Sequence, residues 1–173
     1  MSLLHAPDPR WSDLAEEEIK ELIARIPTLV GVQHIGSTSV PGLPAKPIID
    51  LLPIFPDAAT QAASQDLFEA MGYEWLGEYG LPGRAYARKS DPDSGTRVFH
   101  AHGYVEGDPN IVRHIAFRDV LRENTTLRAA YTSVKAACAA RHTDGGEHYA
   151  NCKSRWITKA EALAIARFHE KNK

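Results

Sequence analysis

Twelve residues, Gly36-Ser-Thr-Ser-Val-Pro-Gly-Leu-Pro-Ala-Lys-Pro47, constrain this chain more than any other stretch. Two glycines, three prolines and three hydroxyl side chains in that span exclude a regular strand. They predict a loop, or a short helical turn beginning near Ser37. The β-branched run Thr28 to Ile35 precedes it and reads as a strand, and Ile48 to Ile54 follows as an apolar strand interrupted by Asp50. Gly36 lets backbone approach a ligand closely, and a helix start there presents free N–H groups to an anion. Ser37, Thr38 and Ser39 add hydroxyl donors and Lys46 a positive charge. A proline-rich turn that merely caps a helix accounts for the same residues. Asp50 is costly to bury unless paired or metal-bound, although an Asp at a strand end bonding backbone is the ordinary alternative.

Around this segment the pattern is mixed. Before it, Asp13 as cap and Glu16 as its capping-box partner predict a helix ended by Pro27. Its apolar face would carry Leu14, Ile19, Leu22, Ile23 and Ile26. After it, Asp57 caps a helix expected to reach Met71 and stop at Gly72. Tyr73–Leu76, Arg84–Lys89 and Arg97–Val105 then read as three strands of an antiparallel meander. Asp108-Pro109 opens a helix with Pro at its first position and Ile111, Ile115, Val120 and Leu121 as its stripe. Thr125 is the expected cap of the next helix, with Leu127, Tyr131, Val134 and Cys138. A last helix spans about Glu147 to His169, carrying Tyr149, Trp156, Ile157, Ala160 and Leu163. The expectation is one α/β domain over residues 1–173: a mixed β-sheet flanked by helices, with a helical C-terminal part from about residue 108.

The balance of 20 Lys+Arg against 22 Asp+Glu excludes a bulk-electrostatic nucleic-acid binder. No apolar stretch is long enough to span a membrane, and the N-terminus lacks a signal-peptide pattern, so a cytoplasmic protein is expected. Two cysteines, Cys138 and Cys152, form no C-x-x-C pair. One disulfide is available to them, but free thiols are the expectation in that compartment. Eight histidines stand out against this composition. His100 and His102 form an H-x-H pair, which on a strand puts both rings on one side, roughly 6.6 Å apart, with Arg97 on the other. Such a pair serves one metal or one phosphate, or is simply a half-exposed polar strand. His34, two residues before Gly36, is a possible third member, and His114 a fourth.

The run from His34 to Asp50 resembles the signature of the GrpB family. The resemblance continues through Leu81-Pro-Gly-Arg84, Arg97 to His102, Arg113 to Arg122, and Tyr149 and Lys153, in the family's order. It implies a nucleotidyltransferase-like fold, a superfamily whose pattern is a Gly-Ser at a helix start, then two metal-binding acids one residue apart, then a third acid on a later strand. Related domains occur fused to dephospho-CoA kinase. Gly36-Ser37 matches the first element and Asp50 the first acid, but Leu52 stands where the second belongs. His100 and His102 stand where an acid is expected, and Phe99, Ala101 and Gly103 depart from the usual His-His-Leu-His-Val segment. One Asp and two His suit a single transition-metal ion better than two magnesium ions.

Three functional readings follow. The first is a transferase-like protein binding a nucleotide or other phosphorylated small molecule. In it Gly36, Ser37, Thr38, Ser39, Lys46, Arg84, Arg97, Arg113, Tyr149 and Lys153 contact the ligand. Asp50, His100 and His102, with His34, hold a divalent ion of Mg or Zn type or move protons. The second is a non-catalytic ligand- or protein-binding module that has lost the metal chemistry. The third is a metal-dependent hydrolase built on His34, His100 and His102.

Overall fold

The computed structural model describes residues 3–172. Helix α1 (Arg10–Arg25) leads into strand β1 (Gly31–Ile35), a single 3-10 turn (Ser37–Ser39) and strand β2 (Ile49–Phe55). Short helices α2 (Ala58–Ala63) and α3 (Gln65–Ala70) precede β3 (Tyr73–Trp75), β4 (Ala85–Ser90) and β5 (Arg97–Val105). Helices α4 (Pro109–Glu123), α5 (Thr125–Arg141) and α6 (Glu147–Lys171) close the chain. The sheet order is β1-β2-β5-β4-β3. β2 and β5 run parallel and the other neighbours antiparallel, so the sheet is mixed and β3-β4-β5 is the expected meander.

Alternation along β2 divides the core. Ile49, Leu51 and Phe55 pack with Trp11, Ala15, Leu22 and Ile26 of the α1 region and with Phe68, Tyr73, Phe99 and Ala101. Leu52 packs with Ile35 and Tyr104 against Ile111 and Ile115 of α4. A third cluster joins Val40 and Leu43, beyond the 3-10 turn, to α4, α5 and α6 through Leu121, Tyr131 and Ala164. These last contacts seat the helical region against the segment after Ser39.

Several boundaries differ from the sequence reading. α1 begins at Arg10, before Asp13, and its cap residue Pro9 makes no side-chain cap bond. Its buried face is Trp11, Ala15, Glu18 and Leu22, while Leu14 and Ile23 are exposed. Glu18 accepts from the Tyr73 hydroxyl and pairs with Lys89, so burial there is decided by partners on the sheet. β1 starts at Gly31, not Thr28. The helix capped by Asp57 is broken at Ser64 into two pieces. Asn124, not Thr125, caps α5, its side chain accepting from the Leu127 N–H. Asp108 does cap α4, with Pro109 first in the helix. Leu163 is exposed.

Cys138 and Cys152 are disulfide-bonded, correcting the expectation of free thiols. α5 and α6 fold back on each other across a short connection, which brings the two Cα atoms to 5.8 Å, within bonding geometry. Among the described residues no helix is long and apolar enough to cross a membrane.

Candidate functional site

The turn after β1 is built around Gly36. Its φ is +71°, and a Cβ there would lie 2.9 Å from Asp50 Cβ and closer still to Oδ2. Only glycine allows this close approach of the turn to the β2 carboxylate. Ser39 Oγ donates to the Gly36 carbonyl at 2.6 Å, and Arg122 of α4 donates to the Ser39 carbonyl at 2.9 Å. Thr38 and Ser39 are buried and hold the turn, while Ser37 faces the cleft beside the Tyr131 hydroxyl.

The parallel register places Asp50 opposite His100 and Leu51 opposite Ala101. Asp50 Oδ1 lies 3.5 Å from His100 Nδ1 and 3.2 Å from His102 Nε2. One donor atom from each of the three residues falls within 4.8 Å of the others. Burial alone would raise the Asp50 carboxyl, but hydrogen bonds and charge from both imidazoles outweigh it and hold the carboxyl well below its usual range.

Donors bound to one zinc-type ion at about 2.0–2.1 Å stand roughly 3.4 Å apart when tetrahedral, so this trio fits a single ion with little movement. Leu52 has no exposed surface and lies in the apolar cluster with Ile35 and Tyr104. The donor set therefore fits one ion and leaves no carboxylate at position 52 for a second.

His34 does not join this group. It pairs in register with Leu51, and its ring Nε2 lies 2.9 Å from Thr38 Oγ1. Burial pushes its imidazole down to about 4 despite the charge of Asp50. His114 contacts Arg113 at 3.1 Å, and its ring centroid is 5.7 Å from that of His102. Burial, reinforced by Arg113, takes it down to about 3.

A cleft of about 120 Å³ opens beside Asp50 and His100. Ser37 and Lys46 line it from the turn and the segment after it, and Lys135, Tyr149 and Lys153 from α5 and α6. Lys46 Nζ donates to the Gly145 carbonyl at 2.7 Å, and Lys135 Nζ donates to the Pro44 carbonyl. Lys153 Nζ sits 4.1 Å above the Tyr149 ring. Among the described residues none of the three lysines pairs with a carboxylate, and the buried Tyr149 hydroxyl has no hydrogen-bond partner. Burial takes Lys135 down to about 7 and Lys153 to about 8, with neighbouring ammonium groups adding to the effect and Asp50 opposing it. Burial raises Tyr149 to about 12.

The remaining anticipated ligand contacts lie elsewhere. Arg84 is bound to the Glu78 and Tyr79 carbonyls, and its guanidinium lies 4.7 Å from the Tyr86 ring centroid. Arg113 pairs with Glu161 at 2.7 Å. A register shift at Lys89/Ser90 accompanies the approach of Arg97 to Glu74, at 3.8 Å, so Arg97 is spent on a strand partner.

Lys135 was not anticipated. It follows Tyr131 by four and precedes Cys138 by three, so a lysine on the buried stripe of α5 was the available signal.

A family model described as GrpB protein matches residues 3–162. The chain belongs to the GrpB family. It is 38% identical over 159 residues to the UPF0157 protein YqkA of Bacillus subtilis, covering 90% of this chain but 45% of that protein. The crystal structure of conserved protein GrpB from Enterococcus faecalis matches this GrpB chain with a TM-score of 0.87 at 39% identity, over 95% of this chain and 98% of that one. Cid1 poly(U) polymerase with Mg 3′-dATP bound matches with a TM-score of 0.58 at 10% identity, over 86% of this chain and 49% of that one. That likeness is one of fold: this GrpB chain has the nucleotidyltransferase-like architecture.

The neighbours of Gly103 crowd its Cα. A Cβ there would lie 2.6 Å from the Phe55 ring and 3.2 Å from the Ala85 carbonyl. Phe55 fills the space that a larger residue at 103 would need.

Proposed function

We propose that the cleft binds the phosphates of a nucleotide or other phosphorylated small molecule, and that the protein is a metal-dependent transferase using one divalent ion. The observation that carries this reading is the set of three lysines without carboxylate partners, facing Ser37 across a cleft bordered by the Asp50–His100 pair. A buried ammonium without a counter-anion is costly, and a bound phosphate supplies the missing charge. Ser37 and the unpartnered Tyr149 hydroxyl offer hydrogen bonds. Asp50, His100 and His102 would hold the ion, which when bound supplies Lewis-acid polarisation of a phosphoryl oxygen. Without an ion, Asp50 Oδ1 faces His100 Nδ1 and His102 Nε2 and orients both imidazoles.

Isothermal titration with nucleoside triphosphates and dephospho-CoA, each with and without Mn²⁺ or Zn²⁺, tests the reading. Metal-enhanced binding is expected. No binding to any of them would overturn it.

One observation favours a second reading, a binding module without turnover: Leu52 is sealed in the core where the superfamily pattern has an acid. That reading expects ligand binding indifferent to Asp50→Ala.

A further inference from the structure

The cleft beside Asp50 and His100 is lined by Lys46, Lys135 and Lys153. The next surface along the sheet from the lysines is aromatic. Across the order β2-β5-β4, Asp50 is followed by His100 and His102, and then by Tyr86, which pairs in register with His102. The Tyr86 ring centroid lies 5.6 Å from that of His100 and 5.2 Å from that of His102. Tyr79 stacks on Tyr86, with centroids 5.2 Å apart and planes inclined by 21°.

Tyr79 is unusual in two independent ways. It is 58% exposed, and among the described residues it is the only Phe, Trp or Tyr that is exposed. It is also the only non-glycine with positive φ among them, at 45°. Glycine or asparagine takes that conformation at lower cost, so backbone geometry gives no reason for tyrosine here. Strain of this kind concentrates where a side chain must be presented to a ligand.

The loop is nonetheless fixed. Arg84 Nη2 donates to the Tyr79 carbonyl at 2.7 Å, the Gly83 N–H donates to Glu78 Oε1 at 2.7 Å, and Gln61 Nε2 donates to the Gly83 carbonyl at 3.2 Å. One face of the Tyr79 ring is covered by Tyr86, and its high exposure leaves the rest of the ring to solvent.

We propose that Tyr79, backed by Tyr86, is a stacking subsite that takes a planar, nucleobase-like ring beside the Asp50–His100–His102 group. The subsite deepens the reading of the cleft as a phosphate site and rests on it for the ligand's charged part. Arg84, 4.7 Å from the Tyr86 ring centroid, disfavours a cationic ring and suits a neutral or anionic one. The ring belongs either to the phosphorylated ligand itself or to a second substrate.

The test measures adenosine, inorganic tripolyphosphate and ATP binding to the full chain, comparing wild type with Tyr79→Gly and Tyr79→Phe. Glycine suits the backbone at position 79, so that variant folds, which an unchanged melting temperature verifies. Adenosine affinity is expected to fall at least about fivefold in Tyr79→Gly and to persist in Tyr79→Phe, with tripolyphosphate unaffected in both. If ATP binds more tightly than tripolyphosphate and Tyr79→Gly removes the gain, ring and phosphates belong to one molecule. If adenosine still binds at saturating tripolyphosphate and ATP gains nothing, the ring belongs to a second molecule. Adenosine that fails to bind wild type, or binds wild type and Tyr79→Gly equally, overturns the subsite. Loss of tripolyphosphate binding alone, with Tyr79-dependent adenosine binding intact, overturns the phosphate reading and leaves the subsite standing.

Discussion

The two walls of the cleft are built on opposite principles. On the sheet wall, Asp50, His100 and His102 satisfy one another, and their strands are held by ladder hydrogen bonds on both sides. On the helical wall, Lys135 is buried and Lys153 half-buried, neither pairs with a carboxylate among the described residues, and the buried Tyr149 hydroxyl has no hydrogen-bond partner. The sheet wall is balanced by its own groups, whereas the lysines of the helical wall have no counter-charge among the described residues.

The most damaging change to the sheet wall is Gly36→Ala. A positive φ and a Cβ driven into Asp50 should together cost about 3–4 kcal/mol in urea denaturation. A loss below about 1 kcal/mol would mean that the turn and Asp50 are not rigidly opposed.

On the helical wall, the Cys138–Cys152 disulfide ties α5 to α6 directly beside Lys135 and Lys153. Reduction, or the double change to serine, should cost about 3 kcal/mol for a loop of this length. Tripolyphosphate affinity should fall with it while metal binding is spared, because the sheet wall is untouched. Equal losses in both would erase the distinction between the walls.

Asp50→Asn sharpens the comparison from the other side. Zinc or manganese affinity should drop by at least about a hundredfold in titration calorimetry, more than second-shell losses. Tripolyphosphate binding should hold or improve, since a negative charge has left the cleft. The stability that Asp50 contributes has a defined sign: its folded pKa is depressed, so the contribution is present above the ordinary carboxylate range and is lost as pH falls below it. The variant should therefore show a shallower acid limb in pH-dependent melting.

The smallest effect tests the cost of unpaired charge. Lys135 and Lys153 titrate at about 7 and 8 when folded, against 10.5 as the ordinary value. The unfolded chain thus binds more protons between about pH 7 and 10.5, and stability should rise with pH across that window. Lys135→Met should flatten the rise and raise the melting temperature at neutral pH, while weakening tripolyphosphate about tenfold. A lowered melting temperature would show that the bond from Lys135 to the Pro44 carbonyl outweighs the burial cost.

Where a short range of residues decides the outcome, the sequence carried the answer. Glycine and proline chemistry placed the turn at Gly36–Pro47, Asp108-Pro109 placed the start of α4, and the strand read at Arg97–Val105 is β5. The His34-to-Asp50 run marked the family, and the H-x-H spacing put His100 and His102 on one side of a strand. Caps were harder, because Asn124 and Thr125 are adjacent good caps and it is the Asn124 side chain that accepts from the Leu127 N–H. The sheet register alone decided that Asp50 meets His100 and His102 while His34 turns to Thr38. Folding of α5 and α6 over the turn decided that Lys135 and Lys153 share a cleft with Ser37, and that Cys138 meets Cys152. The physical reason is range. Backbone conformation responds to neighbours a few residues away, whereas the charge state and partners of a buried side chain are set by groups roughly a hundred residues distant along the chain, which only the packed structure brings within a few ångströms.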